Sequence, residues 1–192
     1  SERLPAIPVA AALLEFQTPT IPEAWNQLIS LGVTHIHVAP LLLFAAGHAK
    51  QDIPAILAEC QAEDPTLTFD QSRPLSRHAA IIDLVLQRLG ETLASCQHPP
   101  RRTVIVMVGR GSHDPCAQAD MRILSEITAR QFDIGEVVTA FYAMAEPRLP
   151  AILDEVAETG RFDAVVVHPH LLFEGGLNQA IIRQTKEAAV KY

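Results

Sequence analysis

His35 and His37, and again His168 and His170, are spaced two apart, which puts each pair on one face of a strand. Two imidazoles so placed could share a metal ion or simply pack beneath a helix. His48 stands alone, just after the longest apolar run, Val38 to Gly47. Its type suits metal ligation or proton transfer near neutral pH, while its setting is equally that of a hydrogen-bonded structural residue. His78 and His98 read as surface or linker positions. The turn GRGSHDP, Gly109 to Pro115, follows a strand-like run and precedes a helical one, so its backbone N–H groups could cradle an anion. Asp114 stands where a Gly-x-Gly-x-x-Gly turn needs its third glycine, and no Lys-Ser/Thr follows, which argues against dinucleotide and ATP binding. Arg110 is left as a pocket-wall residue. Cys60, Cys96 and Cys116 form no Cys-x-x-Cys pair and read as idle thiols.

These residues hang on alternating β-like and amphipathic helical segments. PVAAALL, from Pro8, predicts a strand, and TPTIPEAWNQLISLG a helix, with Pro22 in its first turn and Gly32 just past its end. THIHVAPLLL predicts a second strand, GHAKQDIPAILAECQAE a second helix, TLTF a short third strand and PLSRHAAIIDLVLQRLGETLASC a long helix. The paired prolines of QHPPRR mark a linker, dividing the chain into residues 1–97 and 98–192. After it the alternation restarts, with TVIVMVG, a helix from about Cys116 to Phe132, EVVTAFYAM, FDAVVVHPHLL and LNQAIIRQTKEAAV. Such alternation predicts a parallel α/β sheet in each half.

The halves are copies of one another. LLEFQTPTIPEA, from Leu13, lies on FYAMAEPRLPAI, from Phe141, and pairs Pro19 with Pro147 and Pro22 with Pro150. HVAPLLLFAAGH, from His37, lies on VVHPHLLFEGGL, from Val166, and pairs Pro40 with Pro169, Phe44 with Phe173 and Gly47 with Gly176. Agreement over both blocks indicates an internal duplication. The second half opens with a strand, turn and helix that the first half lacks, which leads one to expect a fragment trimmed at both ends or a chain whose ends were not seen.

LLEFQTPTIPEA, VAPLLLFAAGHAKQDIPAIL and VGRGSHDP together resemble the long, two-domain form of the sirohydrochlorin cobaltochelatases, the class II chelatases of cobalamin and sirohaem biosynthesis. The resemblance spans nearly the whole chain. It implies two tandem flavodoxin-like, chelatase-like α/β domains and ATP-independent insertion of a divalent metal into sirohydrochlorin. Carried over residue by residue, His48 matches the metal-binding histidine of the G-H-x-x-x-D-I-P motif. Glu15 matches the acidic metal ligand, and Leu43, Phe44, Ala45, Ala46 and Gly47 match the loop that lines the tetrapyrrole. The family's other histidine belongs to an H-G-S-x-D-P turn that the first half lacks. In the second half Glu15 is answered by Ala143 and His48 by Leu177, and the turn carries Arg110. One half keeps a metal-capable pair, and the other keeps its scaffold.

Imidazole and carboxylate suit Co²⁺, Fe²⁺ and Ni²⁺ alike, so the ligands do not choose the metal. The long form favours Co²⁺, with the iron-inserting enzyme of sirohaem synthesis and a non-catalytic tetrapyrrole- or metal-binding module as alternatives. The metal is expected as a substrate, with no tightly bound cofactor. Across its 192 residues the chain carries 15 Lys+Arg against 22 Asp+Glu, a formal charge of −7, and no basic stretch interleaved with aromatics. Nucleic acid is therefore not an expected partner. No apolar run reaches the roughly 18–20 residues of a membrane span, and the opening SERLPAIPVAAALLE lacks a signal-peptide cleavage pattern, so cytoplasmic location is expected. A homo-oligomer stays open.

Overall fold

A computed structural model describes residues 7–192; the first six residues of the opening stretch lie outside the described residues. The chain divides into two compact units, one ending at Pro74 and one running from Leu75 to Tyr192. The division lies upstream of the expected Gln97–His98 boundary. The reason is the long helix α3, Ala79–Ser95, which packs with the helix that follows it in the second unit, while Ser76 Oγ, just before α3, donates to Asp120 Oδ2 on that same helix at 3.1 Å.

In the first unit, α1 spans Ile21–Ser30, β1 His35–Val38, α2 Ile53–Glu63 and β2 Thr68–Gln71. Thr20 and Glu23 start α1 with a reciprocal capping box, Thr20 N–H donating to Glu23 Oε2 at 2.6 Å, and Pro22 sits in the first turn, where its missing N–H costs nothing. The two strands pair in parallel, His35 opposite Thr68 and His37 opposite Asp70. Trp25, Ile36, Ile53, Leu57, Cys60 and Leu67 form the core, with the rings of Trp25 and Phe69 edge to face at 5.8 Å.

Three expectations are corrected here. PVAAALL is not a strand: its only bridge among the described residues joins Leu13 to Thr20, with Leu13 N–H donating to the Pro19 carbonyl at 2.7 Å. An apolar run becomes a strand only beside a partner that takes its N–H and C=O groups, and none of the described strands pairs with it. THIHVAPLLL forms a strand over His35–Val38 alone, ending two residues before Pro40. The TLTF strand is displaced two residues onward, to Thr68–Gln71.

The second unit is fuller. After α3 come β3 (Thr103–Gly109), α4 (Pro115–Gln131), β4 (Glu136–Phe141), α5 (Leu149–Glu158), β5 (Ala164–Pro169) and α6 (Gly176–Lys191). All pairing is parallel, in the order β4-β3-β5, and every residue of the central β3 is buried, as a strand covered on both faces requires. One face packs Val104, Val106, Val108 and Ala140 against Leu149, Ile152, Leu153 and Ile181 of α5 and α6. Parallel α/β units in tandem are the expected fold class.

The duplication is written in the backbone. Leu13 bridges Thr20 as Phe141 bridges Arg148, and Phe141 N–H donates to the Pro147 carbonyl at 2.8 Å, repeating the Leu13 bond. Phe16 and Met144, equivalent in the superposition, are the two non-glycine residues with positive φ among the described residues, at 62° and 57°.

Candidate functional site

The second unit shows what the repeat places at its strand ends. Glu15's counterpart, Ala143, follows β4; His48's counterpart, Leu177, lies in the first turn of α6, beyond β5; Arg110 follows β3 between them. Ala143 N–H donates to the Arg110 carbonyl at 2.8 Å, and His170 N–H to the Val108 carbonyl at 2.8 Å, so the three loops meet beyond the carboxyl ends of the strands. Ligands gather at that crevice in open parallel sheets. Gly111 allows the loops to close: its φ is +92°, and a Cβ there would lie 1.6 Å from the Ala143 carbonyl oxygen.

In the first unit the same two positions carry Glu15 and His48. Glu15 is exposed in the loop closed by the Leu13–Thr20 bridge, beside Phe16, which is 99% exposed. His48 begins a π-helical turn, His48–Asp52, ahead of α2, where an unbroken α-helix was expected. Its Nδ1 lies 2.7 Å from Asp52 Oδ2, and 38% of its side chain is exposed. The turn is anchored from two sides, because Ala49 is buried and Gln71 Nε2, at the end of β2, donates to the Ala49 carbonyl at 2.9 Å. Leu43, Phe44, Ala45 and Ala46 are half-buried in the loop before it, and Gly47 is exposed at its end. The result is an apolar loop leading to an anchored imidazole.

Arg110 belongs to the other unit, where the turn that follows it spends its polar groups on itself. Asp114 N–H donates to Ser112 Oγ at 3.0 Å, and Cys116 N–H to Asp114 Oδ1 at 2.8 Å. Asp114 is thus the N-cap of α4, which accounts for its place where a nucleotide turn has glycine.

The paired histidines take other roles. His35 and His37 do share a face of β1, and both reach one carboxylate oxygen, Asp70 Oδ1, at 3.1 and 2.8 Å; His35 Nδ1 also meets Thr68 Oγ1 at 2.8 Å. The hydrogen bond from His37 lowers the Asp70 carboxyl below its usual range. His168 and His170 have rings 6.5 Å apart, and burial lowers both, His170 to about 4 with help from the neighbouring His168. Among the described residues no three His, Cys, Asp or Glu side chains converge into a metal cage. The partners Asp52, Gln71 and Asp70 were not singled out from the sequence. Asp52 was within reach, since four residues is the spacing at which helical side chains meet; Gln71 and Asp70 depend on strand register, which the sequence does not display.

Two parallel α/β units, with Glu15 and His48 of one copy answered by Ala143 and Leu177 in the other, define a duplicated α/β scaffold. The chain belongs to the CbiX family, whose family model matches residues 1–92 and 104–192. It is 26% identical to a sirohydrochlorin cobaltochelatase of Priestia megaterium over 187 residues, covering 97% of this chain and 61% of that protein. It is 31% identical to a sirohydrochlorin ferrochelatase of the same organism over 174 residues, covering 91% of this chain and 64% of that one. The chain therefore spans a little over three fifths of the length of these relatives. Among solved structures it is similar to SirB from Bacillus subtilis with Fe³⁺ (TM-score 0.84, 26% identity, 98% of this chain and 73% of that one). It is also similar to the sirohydrochlorin chelatase SirB from Bacillus subtilis subspecies spizizenii in complex with cobalt (TM-score 0.76, 27% identity, 94% and 67%). No helix among the described residues is long and apolar enough to cross a membrane.

Proposed function

We propose that this chain acts as a sirohydrochlorin chelatase that inserts Co²⁺ into the metal-free tetrapyrrole macrocycle without ATP. The observation that carries the reading is the asymmetry of the repeat: one backbone plan bears Glu15 and His48 in one copy and Ala143 and Leu177 in the other. Relatives named for cobalt and for iron stand equally near, so support for the chelatase reaction is broader than support for the metal. Co²⁺ follows from the resemblance to the long cobalt branch, and Fe²⁺ insertion is the second reading, favoured by the similarity to SirB with Fe³⁺.

Metal insertion replaces two pyrrole N–H protons by one divalent ion, releasing two protons. His48, with Nδ1 engaged by Asp52, offers Nε2 first as a donor to the incoming ion and then, once the ion has passed to the macrocycle, as an acceptor for a pyrrole proton. Glu15 supplies a second oxygen donor and helps strip water from the ion. The half-buried loop Leu43–Ala46, with Gly47, contributes an apolar wall for the macrocycle. Two side chains make an open, low-charge site, which suits an ion that must leave with the product. The metal is a substrate, and no resident cofactor is required. Anaerobic metallation of sirohydrochlorin followed by absorbance tests the reading: a rate above the spontaneous background supports it, and no acceleration with Co²⁺, Fe²⁺ or Ni²⁺ overturns it in favour of a binding module.

A further inference from the structure

The two copies differ in length at two places: the second has one extra residue between Pro150 and Val166, and the first has one extra residue beyond His48. His48 superposes on Leu177 at a spacing of 129 residues, but the core positions that follow match at 128, buried Ile53 with buried Ile181 and buried Cys60 with half-buried Ala188. The first copy therefore holds one extra residue between its histidine and its first buried isoleucine. A one-residue insertion in a helix produces a π turn, and the π turn is there, with Ile53 N–H bonded to the His48 carbonyl. The second copy runs as a regular α-helix through the same stretch, and its intervening residues, Asn178, Gln179 and Ala180, include no carboxylate. The lengthened stretch of the first copy is the one that supplies Asp52, whose carboxylate meets His48 Nδ1 at 2.7 Å. Histidine, insertion and aspartate occur together in one copy and are absent together from the other.

A carboxylate only accepts hydrogen bonds, so the proton of a neutral His48 must sit on Nδ1, and the lone pair on Nε2. We propose that Asp52 is a positioning residue, inserted with the π turn, that fixes the tautomer and ring orientation of His48 so that Nε2 faces the metal. The assignment rests on the chelatase reading for its purpose but not for its test. Outer partners of metal-bound histidines act in this way, and their loss costs about 10- to 100-fold in metal affinity or activity.

Long-range ¹H–¹⁵N correlation spectra of the histidine-labelled chain at pH 8 read the tautomer directly, without any variant. His48 is expected as the Nδ1–H form, and finding Nε2–H would overturn the proposal. In Asp52→Ala, His48 is expected to revert toward Nε2–H while the affinity for Co²⁺ alone falls about tenfold. An unchanged tautomer in a folded Asp52→Ala would likewise overturn it. An Nδ1–H tautomer in a chain that binds no Co²⁺ would count against the chelatase reading and leave Asp52's role standing.

Discussion

Glu15 carries a negative charge on an exposed loop, where a carboxylate contributes little to stability, so its replacement tests chemistry rather than folding. Glu15→Ala is expected to lower the metallation rate at least about tenfold while leaving thermal unfolding unchanged; an unaltered rate would remove Glu15 from the site. At this scale His48 and Glu15 are singled out by the family resemblance, carried over residue by residue, and the second copy, with Ala143 and Leu177 in their places, is the control internal to the sequence. Asp52 was legible only as part of a motif. Its pairing depends on a π turn that no hydrophobic periodicity announces, because one inserted residue leaves the apolar positions of α2 intact and shifts only their phase.

At the scale of elements, the loops beyond the strands of the second unit close over a turn with no room for a side chain, and beside them the imidazole of His170 is buried. Gly111→Ala combines a positive φ with a Cβ 1.6 Å from the Ala143 carbonyl oxygen, and should destabilise that unit by about 2 kcal/mol or more, read by urea denaturation. Wild-type stability in the variant would contradict the loop closure described above. His170, 5% exposed, has its pKa depressed by burial to about 4, against an ordinary value near 6.5. Between those values the unfolded chain binds a proton that the folded chain does not, so stability is lost as pH falls below about 6.5 and is whole above it. From pH 7.5 to 5 the loss amounts to about 2 kcal/mol, and His170→Leu should abolish that share of the pH dependence. Parallel pH profiles for wild type and variant would show that His170 is not buried neutral. The element types were largely legible, because buried parallel strands read as continuous apolar runs, β3 above all. PVAAALL was misread for the same reason: an apolar run shows what can be buried, not whether a neighbouring strand is present to take its hydrogen bonds.

At the scale of the whole molecule, the chain is two units with separate cores, and the dividing point follows packing rather than proline content. The prolines of QHPPRR suggested a linker, yet α3 before them packs with α4 after them. Residues 75–192 should therefore fold alone into a cooperatively melting α/β unit, followed by circular dichroism; a non-cooperative melt would mean that the division lies elsewhere. The central claim is that one unit holds the chemistry of metal insertion at His48. The most direct test is anaerobic metallation of sirohydrochlorin by the full-length protein with Co²⁺ and Fe²⁺ in turn, beside His48→Ala and, as the control in the erased copy, Leu177→Ala. Accelerated metallation that is lost in His48→Ala and kept in a folded Leu177→Ala is the predicted result. Equal rates in wild type and His48→Ala would contradict the account.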